Sequence, residues 1–168
     1  MPKIIIKTMC KNAADGCKHP PLSASQLAMR RALQMAKQAA AKGEVPVGAV
    51  VFDDDGNIIA EAGNANIHHC DATAHAEILA LRAACQKTGN YRLPQLNMAI
   101  TLEPCAMCAG AILHARLRFV VFGAPDDKTG ALGGFVSLAM LNHQTTFAGG
   151  LYREESAALL RAFFDKRR

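Results

Sequence analysis

Apolar residues recur at helical spacing in two long stretches of the chain. The first runs from Ser23 or Ser25, either of which could cap a helix, to about Lys42, and Gly43 is suited to end it. The second covers residues 153–166. The apolar stripes comprise Met29, Ala32, Leu33, Ala36 and Ala40 in the first stretch, and Leu159, Leu160, Phe163 and Phe164 in the second. Both patterns predict amphipathic helices.

Shorter apolar runs between these helices predict strands. Residues 46–52 and 57–63 flank an acidic run at residues 53–56, and Asp-Gly between two apolar strands is typical of a hairpin turn rather than a calcium site. Residues 96–102 alternate loosely between apolar and polar, and residues 117–123 form a further apolar run. We expect four strands here, with one more short element before the last helix.

Two further helices are predicted between the strands. One opens near residue 73, with Asp71 or Thr73 as its N-cap, and the other runs from about residue 105 to 115, with Pro104 in its first position. A helix that connects two parallel strands makes a right-handed crossover. The order α-β-β-α-β-α-β, a short element and a final helix predicts a three-layer α/β/α fold whose mixed sheet is covered on both faces.

Four residues able to bind metal or move protons stand at the start of these two helices. Cys105 and Cys108 are three positions apart and share a helix face, whereas His75 and Glu77 are two apart and diverge. The unpaired amides of a helix N-terminus favour thiolate over thiol. One imidazole and two thiolates leave a fourth zinc position open, as in catalytic sites. We therefore predict one Zn²⁺ per chain, bound by His75, Cys105 and Cys108.

The cysteine pair alone would also suit a redox pair or half of a zinc finger. Together with the upstream His-x-Glu, it forms the H-x-E and P-C-x-x-C signature of zinc-dependent nucleobase deaminases, in which the glutamate is not a ligand. Glu77 is therefore the predicted catalytic residue, which transfers protons to and from a zinc-activated water.

From about Ser23 onward the chain resembles the bacterial tRNA-specific adenosine deaminases, within the zinc-dependent cytidine and deoxycytidylate deaminase superfamily. The resemblance rests on residues 44–50, Asn64, and residues 73–78, 90–93, 101–111, 120–124, 127–130 and 163–164. It implies a cytidine deaminase-like fold with a mostly five-stranded sheet in a deaminase domain of residues 22–168. It also implies hydrolytic conversion of adenosine to inosine at wobble position 34 of a tRNA anticodon, in an arginine tRNA.

The resemblance also implies roles for individual residues. It assigns zinc binding and proton transfer to the same four side chains as the spacing does. Asn64 matches a residue that contacts the flipped nucleoside, and Asp126 matches a position near the ribose and backbone beside the target base. His69 and His143 would line the approach to the site. Further substrate contacts are expected at Val47, Ala76, Pro104, Lys128 and Phe164.

Some positions depart from the family pattern. Pro125 stands where a basic residue is common, and Gly63 and Ala65 stand where bulky or charged residues flank the asparagine. The segment from Leu132 to Met140 is shorter than its counterpart. Since these positions belong to the expected substrate rim, we expect different RNA contacts and unchanged chemistry.

Composition agrees with a single globular domain. The chain has 168 residues, of which 51% are hydrophobic and 20% charged, and a chain of this length buries roughly 70% of its unfolded surface. Beyond the two predicted ligands there are four cysteines without framework spacing, and all are expected to be reduced. These are Cys10, Cys17, Cys70 and Cys85.

The net charge of +5 is compatible with an RNA partner. Lys166, Arg167 and Arg168 close the last helix, where they could meet RNA phosphates or complement the helix C-terminus. We favour the RNA role, because Phe163 and Phe164 would anchor this helix end to the protein.

Residues 1–21 lack a periodic apolar face and are expected to form a flexible extension. Cys10, Cys17 and His19 could hold a second metal ion, but three donors without a fourth favour the mobile extension. The apolar run at residues 4–6 is too short for a signal sequence or a membrane span. We expect a cytoplasmic protein without a membrane partner.

The expected partners are a tRNA anticodon stem-loop and a second copy of the chain. The family forms homodimers, and the helix at residues 105–115 has more small and apolar surface than one metal site needs. Two alternatives stay open. One is a deaminase of free nucleobases or nucleosides of the guanine or cytosine type. The other is a tRNA-binding subunit without catalysis, against which Glu77 argues.

Overall fold

The chain forms a six-stranded sheet with helices on both faces, as a computed structural model of residues 5–7, 19–132 and 145–167 shows. The strands are β1 Ile5–Lys7, β2 Gly48–Phe52, β3 Ile58–Gly63, β4 Asn97–Leu102, β5 Phe119–Ala124 and β6 Thr146–Gly149. The helices are α1 Leu22–Ala41, α2 Asn66–His69, α3 Ala76–Thr88, α4 Ala106–His114 and α5 Arg153–Asp165. Among these described helices, none combines the length and apolar character needed to cross a membrane.

The sheet is mixed, in the order β1-β6-β5-β4-β2-β3. Strands β4, β5 and β6 run parallel, and the other neighbouring pairs are antiparallel. Strands β2 to β6 confirm the predicted mixed five-stranded sheet, with β6 as the short element before the last helix. Residues 5–7, which the sequence assigns to a flexible extension, instead pair with β6 as a sixth strand at the edge. Cys10 and Cys17 lie outside the described residues.

Alternate residues of the strands face two separate apolar cores, which confirms the three predicted layers. On β2, Val51 packs in a core with α3 and α4, whereas Val50 and Phe52 pack in a core with α1. Helix α5 lies on the α1 side, where the Arg30 Nε donates to the Tyr152 hydroxyl at 2.8 Å, just before α5 begins. A strand buried on both faces loses the alternation of polar residues, and all five residues of β2 are buried.

Helix α1 follows its predicted apolar stripe but starts earlier. Met29, Ala32 and Ala36 are buried as expected, while Ala40 is only half-buried. The predicted serine cap is wrong, because Pro21 occupies the N-cap position and no side chain caps the helix. A proline there suits the extended backbone that precedes a helix.

Helix α2 was not apparent from the sequence, because four residues are too few to show a period. The side chain of Glu44, which is 2% exposed, holds α2 in place. The Glu44 carboxylate accepts hydrogen bonds from the amides of Ile67, at 3.2 Å, and His68, at 2.8 Å. This buried carboxylate fixes α2 beside the C-terminal end of α1.

The acidic run between β2 and β3 forms the predicted turn. The Asp53 Oδ1 accepts from the amides of Asp55, at 3.0 Å, and Asn57, at 2.9 Å. Asp54 forms an ion pair with Arg118. These carboxylates are therefore engaged in the turn and in anchoring it to the start of β5.

Helix α1 crosses β2 so closely that a side chain at Gly48 has no room. A Cβ there would lie 2.0 Å from the carbonyl oxygen of Ala32 and 2.7 Å from the amide nitrogen of Ala36. Both are backbone atoms, so the whole helix would have to move to admit a methyl group.

We predict that Gly48→Ala lowers the free energy of unfolding by about 2 kcal/mol or more, since overpacking typically costs 1–3 kcal/mol. Lys37→Ala, on the exposed side of α1, is the control. It should leave the free energy of unfolding within about 0.5 kcal/mol of the unmutated value. Urea unfolding of both variants measures the difference, and equal stabilities would contradict the close contact between α1 and β2.

Candidate zinc and active site

The three predicted zinc ligands converge at the N-termini of α3 and α4. His75 and Cys105 are the N-cap residues of the two helices, with extended backbone, and Cys108 lies in the first turn of α4. The predicted N-caps are therefore wrong, because each helix begins a few residues later than predicted. Asp71 and Thr73 precede α3 in a turn of their own, and Pro104 precedes the cap of α4 instead of opening the helix.

The spacing of the donor atoms fits a tetrahedral zinc ion. The His75 Nδ1 lies 3.8 Å from the Cys105 Sγ and 3.5 Å from the Cys108 Sγ. Zinc bonds of about 2.3 Å to sulfur and 2.0–2.1 Å to nitrogen at tetrahedral angles put such atoms about 3.6 Å apart. Among the described residues, this is the group of His, Cys, Asp and Glu side chains that could hold a metal ion. The described residues thus supply three donors, the number that catalytic zinc sites use together with a water or substrate in the fourth position.

The hydrogen bond between the two cysteines and the N-terminus of α4 favour a thiolate at Cys105. The Cys108 thiol hydrogen-bonds to the Cys105 sulfur, and with the amides of Cys108 and Met107 and the nearby His75 it lowers the pKa of Cys105 to about 5. The same contact with Cys105, together with burial, raises the pKa of Cys108. A bound dication would favour the thiolate form of both sulfurs, since a coordinating thiol is deprotonated.

Glu77 is buried beside this cluster without being one of its donors. It is 3% exposed, and its Oε2 has no hydrogen-bond partner among the described residues. Burial raises the pKa of its carboxyl group. A buried polar atom without a partner is costly and rare in native proteins, and it is most often found where a ligand or a reaction supplies the partner.

Asn64 has a structural role that the sequence did not reveal. Its Oδ1 accepts a hydrogen bond from the amide of Ala76 at 2.8 Å, and so satisfies the first free amide of α3. The backbone N–H of Asn64 donates to the carbonyl oxygen of Val47 at 3.1 Å. The Nδ2 of Asn64, with two N–H donors, and the second lone pair of its Oδ1 are available to the predicted nucleoside contact.

Residues 126–129 form a turn, called the Asp126 turn, that is hydrogen-bonded to the segment that carries Cys105. The Asp126 Oδ1 accepts from the amides of Lys128, at 3.0 Å, and Thr129, at 3.1 Å. The backbone N–H of Asp126 donates to the Glu103 Oε2 at 3.2 Å. A Cβ on Gly130 would lie 2.7 Å from the same Glu103 oxygen, so glycine is needed there. Glu103, which is 7% exposed, was missed because a lone glutamate after a strand gives no signal in the sequence.

The other predicted substrate contacts fall into two groups. Val47, Ala76 and Pro104 are buried next to Asn64 or the ligands. The remaining three are exposed: His69 on α2, Lys128 on the Asp126 turn and Phe164 in the last turn of α5, where it is 49% exposed and edge-on to Phe163. The expected anchoring by Phe164 is therefore wrong. His143 lies outside the described residues, as does most of the segment from Leu132 to Met140.

Comparison with known proteins identifies related sequences and folds. Residues 22–124 match the family described as the cytidine and deoxycytidylate deaminase zinc-binding region. A tRNA-specific adenosine deaminase from Haemophilus influenzae is 50% identical over 143 residues, which cover 83% of each chain. A solved structure from a study of A-to-I editing by tRNA:A34 deaminases has a TM-score of 0.75 at 43% identity, covering 79% of this chain and 98% of that one. A guanine deaminase from Nitrosomonas europaea has a TM-score of 0.72 at 27% identity, covering 92% of this chain and 98% of that one.

We predict that Cys105→Ser lowers the zinc content of the purified protein, together with its thermal stability, because metal binding is linked to folding. Glu77→Ala should keep about one zinc per chain, since the carboxylate is not a donor in the cluster. Cys70→Ser, at an exposed cysteine, is the matched control and should also keep its zinc. Metal analysis decides the outcome, and loss of zinc from the Glu77 variant would make that residue a ligand.

A second prediction concerns the hydrogen bond from Ala76 to Asn64. Asn64→Ala should lower the free energy of unfolding by about 1 kcal/mol, the usual cost of removing a cap. Asn64→Asp keeps an acceptor at the same place and a negative charge near a helix N-terminus, so it should retain the stability. Thermal unfolding of the zinc-loaded variants tests this, and equal losses in both would contradict the capping role.

Proposed function

Because this chain belongs to the zinc-dependent cytidine and deoxycytidylate deaminase family, alongside the bacterial tRNA-specific adenosine deaminases, we propose that it converts adenosine to inosine at position 34 of a tRNA anticodon. We further propose an arginine tRNA as the substrate. The observation that carries the proposal is the buried Glu77 carboxylate, whose Oε2 is without a partner among the described residues, beside a His-Cys-Cys cluster.

The proposed reaction replaces the amino group at C6 of adenine by oxygen from water and releases ammonia. His75, Cys105 and Cys108 would hold the zinc ion. Zinc in such a site supplies a water whose pKa falls to roughly 7. Glu77 would accept the proton that the attacking water loses, deliver one proton to N1 of the ring and assist the departure of the amino group as ammonia. The raised pKa that burial gives Glu77 suits a group that must both accept and donate.

Asn64 would orient the base. Its Nδ2 can donate to a ring nitrogen of the purine, while the Oδ1 stays bound to the Ala76 amide at 2.8 Å. The rigid link from Val47 through Asn64 to α3 would keep this donor at a constant distance from Glu77, which is the second residue of α3. Orientation of this kind reduces the entropy cost of reaching the transition state.

A tRNA anticodon suits this site because its bases are already in a single-stranded loop. Turning one base out of such a loop costs less than extracting it from a duplex. The net charge of +5 supports attraction to phosphates. A tRNA substrate also agrees with the expected cytoplasmic location.

The basic end of α5 supports this role only in part. The Arg167 Nη2 donates to the carbonyl oxygen of Gly43 at 2.7 Å, and its guanidinium lies 4.0 Å from the centre of the Phe163 ring. Arg167 therefore joins α5 to the end of α1. Lys166 is exposed and remains available to RNA, and Arg168 lies outside the described residues.

A homodimer is part of the proposal. The exposed side of α4 carries Ala106 and Met107, which is 38% exposed, with Gly110 and Ala111 half-buried behind them. Small residues let two helices approach closely. Pairing of this side with a second copy would cover apolar surface that the zinc site does not use.

A free-base deaminase is the second candidate. The fold shared with the guanine deaminase of Nitrosomonas europaea favours it, because the same zinc chemistry can act on a small purine. A non-catalytic subunit is disfavoured, since it would have no use for the buried carboxylate of Glu77.

The test is incubation of the zinc-loaded protein with an adenosine-34 anticodon stem-loop and, separately, with guanine, cytosine and their nucleosides. We expect inosine in the stem-loop and no ammonia from the free compounds. Glu77→Ala, the control for catalysis, should slow inosine formation by at least about 100-fold, since general acid-base catalysis contributes roughly 10²–10⁴. Ammonia release from guanine without inosine in the RNA would favour the second candidate.

A further inference from the structure

The buried residue Glu103 connects the two strand ends beside the candidate site. It follows Leu102, the last residue of β4, and precedes the step into α4 that carries Cys105. Its Oε2 accepts a hydrogen bond from the backbone N–H of Asp126 at 3.2 Å, and its own N–H donates to the carbonyl oxygen of Ala124 at 2.9 Å. Glu103 therefore bonds through both its backbone and its side chain to the segment that leaves β5.

The chain directly after the Asp126 turn is attached to the zinc-binding segment by backbone contacts. Gly130 forms an antiparallel bridge with Cys105, and the N–H of Ala131 donates to the carbonyl oxygen of Pro104 at 3.0 Å. The N–H of Gly130 donates to the carbonyl oxygen of Asp126 at 2.9 Å, which closes the turn. The Asp126 turn therefore lies next to a predicted zinc ligand.

The first residue of the turn is attached in a different way. Of the hydrogen bonds that the structure describes for Asp126, those of its carboxylate run to Lys128 and Thr129, inside the turn. The bond from its N–H to the Glu103 carboxylate leads out of the turn. The position of this end of the turn therefore depends on a side chain, whereas the other end is held by backbone.

Little space separates the turn from the Glu103 carboxyl group. A Cβ on Gly130 would lie 2.5 Å from the carbonyl oxygen of Asp126 and 2.6 Å from the Glu103 Cδ. Glu103 is 7% exposed, so its side chain has little room to take another position. An added methyl group at position 130 would therefore force the turn away from the carboxyl group.

We propose that Glu103 is a positioning residue for the reaction proposed above, on which this inference rests: it holds the Asp126 turn at a fixed distance from Cys105. The expected contact of Asp126 with the substrate requires that distance, because the base must reach the zinc site while its sugar meets the turn. Cys105 is held independently at the start of α4, where its carbonyl oxygen accepts from the N–H of Ala109 at 2.8 Å. Loss of the Glu103 carboxylate should therefore move the turn and leave the zinc ligand in place.

The experiment compares variants of the zinc-loaded protein. Glu103→Ala removes the acceptor, Gly130→Ala displaces the turn from it, and Glu103→Gln keeps an acceptor oxygen. Asn97→Ala is the matched control at the opposite end of β4, since Asn97 is fully buried and hydrogen-bonded to Asp54 and Arg118. KM and kcat are measured for inosine formation in an adenosine-34 stem-loop, together with zinc content and thermal unfolding.

Glu103→Ala and Gly130→Ala should each raise KM by about 5- to 100-fold with kcat changed by less than about threefold, as expected when binding contacts are misplaced. Both should keep about one zinc per chain. Glu103→Gln should regain most of the lost KM, and Asn97→Ala should lose thermal stability without a change in KM. In an Asp126→Ala background, Glu103→Ala should raise KM little further, because residues that act through one contact are not additive.

Equal increases in KM for Glu103→Ala and Asn97→Ala would overturn the positioning role, as would loss of zinc from Glu103→Ala or full additivity with Asp126→Ala. If Glu103→Ala does not fold, Gly130→Ala and Glu103→Gln carry the same test. When the unmutated protein forms inosine and any of these results appears, only the positioning role fails. If the unmutated protein forms no inosine in any stem-loop, the proposed function fails and the positioning role with it.

Discussion

The convergence of two helix N-termini is the constraint on which the candidate site depends. Helix α3 begins after His75 and α4 after Cys105, and both first turns point toward one place. The hydrogen bond from the Cys108 thiol and the free amides at the start of α4 lower the pKa of Cys105, and the first amide of α3 donates to the Asn64 Oδ1. A shift of either helix by one residue would separate the donors, since successive positions on a helix point in different directions.

This convergence is held by polar side chains that are buried or half-buried and hydrogen-bonded. Asn64 joins β3 to α3, Glu44 holds α2, and Glu103 joins the Asp126 turn to the strand end before Cys105. Each is a polar group whose burial would be unfavourable without its partners. Glu77 differs, because its Oε2 lacks a partner among the described residues. The apolar cores on both sides of the sheet must offset that cost.

In the proposed function, substrate choice would rest on residues other than those that carry out the chemistry. The proteins that this chain resembles include a tRNA-specific adenosine deaminase and a guanine deaminase. Zinc ligands and a proton-transferring carboxylate serve either reaction. Selectivity would then come from the rim, where the half-buried Ala65 and the exposed His68, His69, Lys42 and Lys128 lie. None of these positions belongs to the two cores.

The sequence alone predicted most of the helices and strands and the group of residues that would bind zinc. The alternation and periodicity of apolar residues predicted α1, α3, α4, α5 and strands β2 to β5 to within a few residues, because burial imposes those periods locally. The motif spacing predicted that His75, Cys105 and Cys108 act together, since each half of the motif lies within one helical turn. The edge strand β1 escaped prediction, because its partner β6 lies far away in the sequence.

Only the tertiary structure decided how the site is supported and what lies beside it. The cap that Asn64 provides for α3, the bond from Asp126 to Glu103 and the bridge between Cys105 and Gly130 all join residues that are distant along the chain. No local period records such contacts. They follow from the register of strands and the packing of helices, which position whole elements relative to one another, so a side chain's partner across the fold cannot be read from its neighbours in sequence.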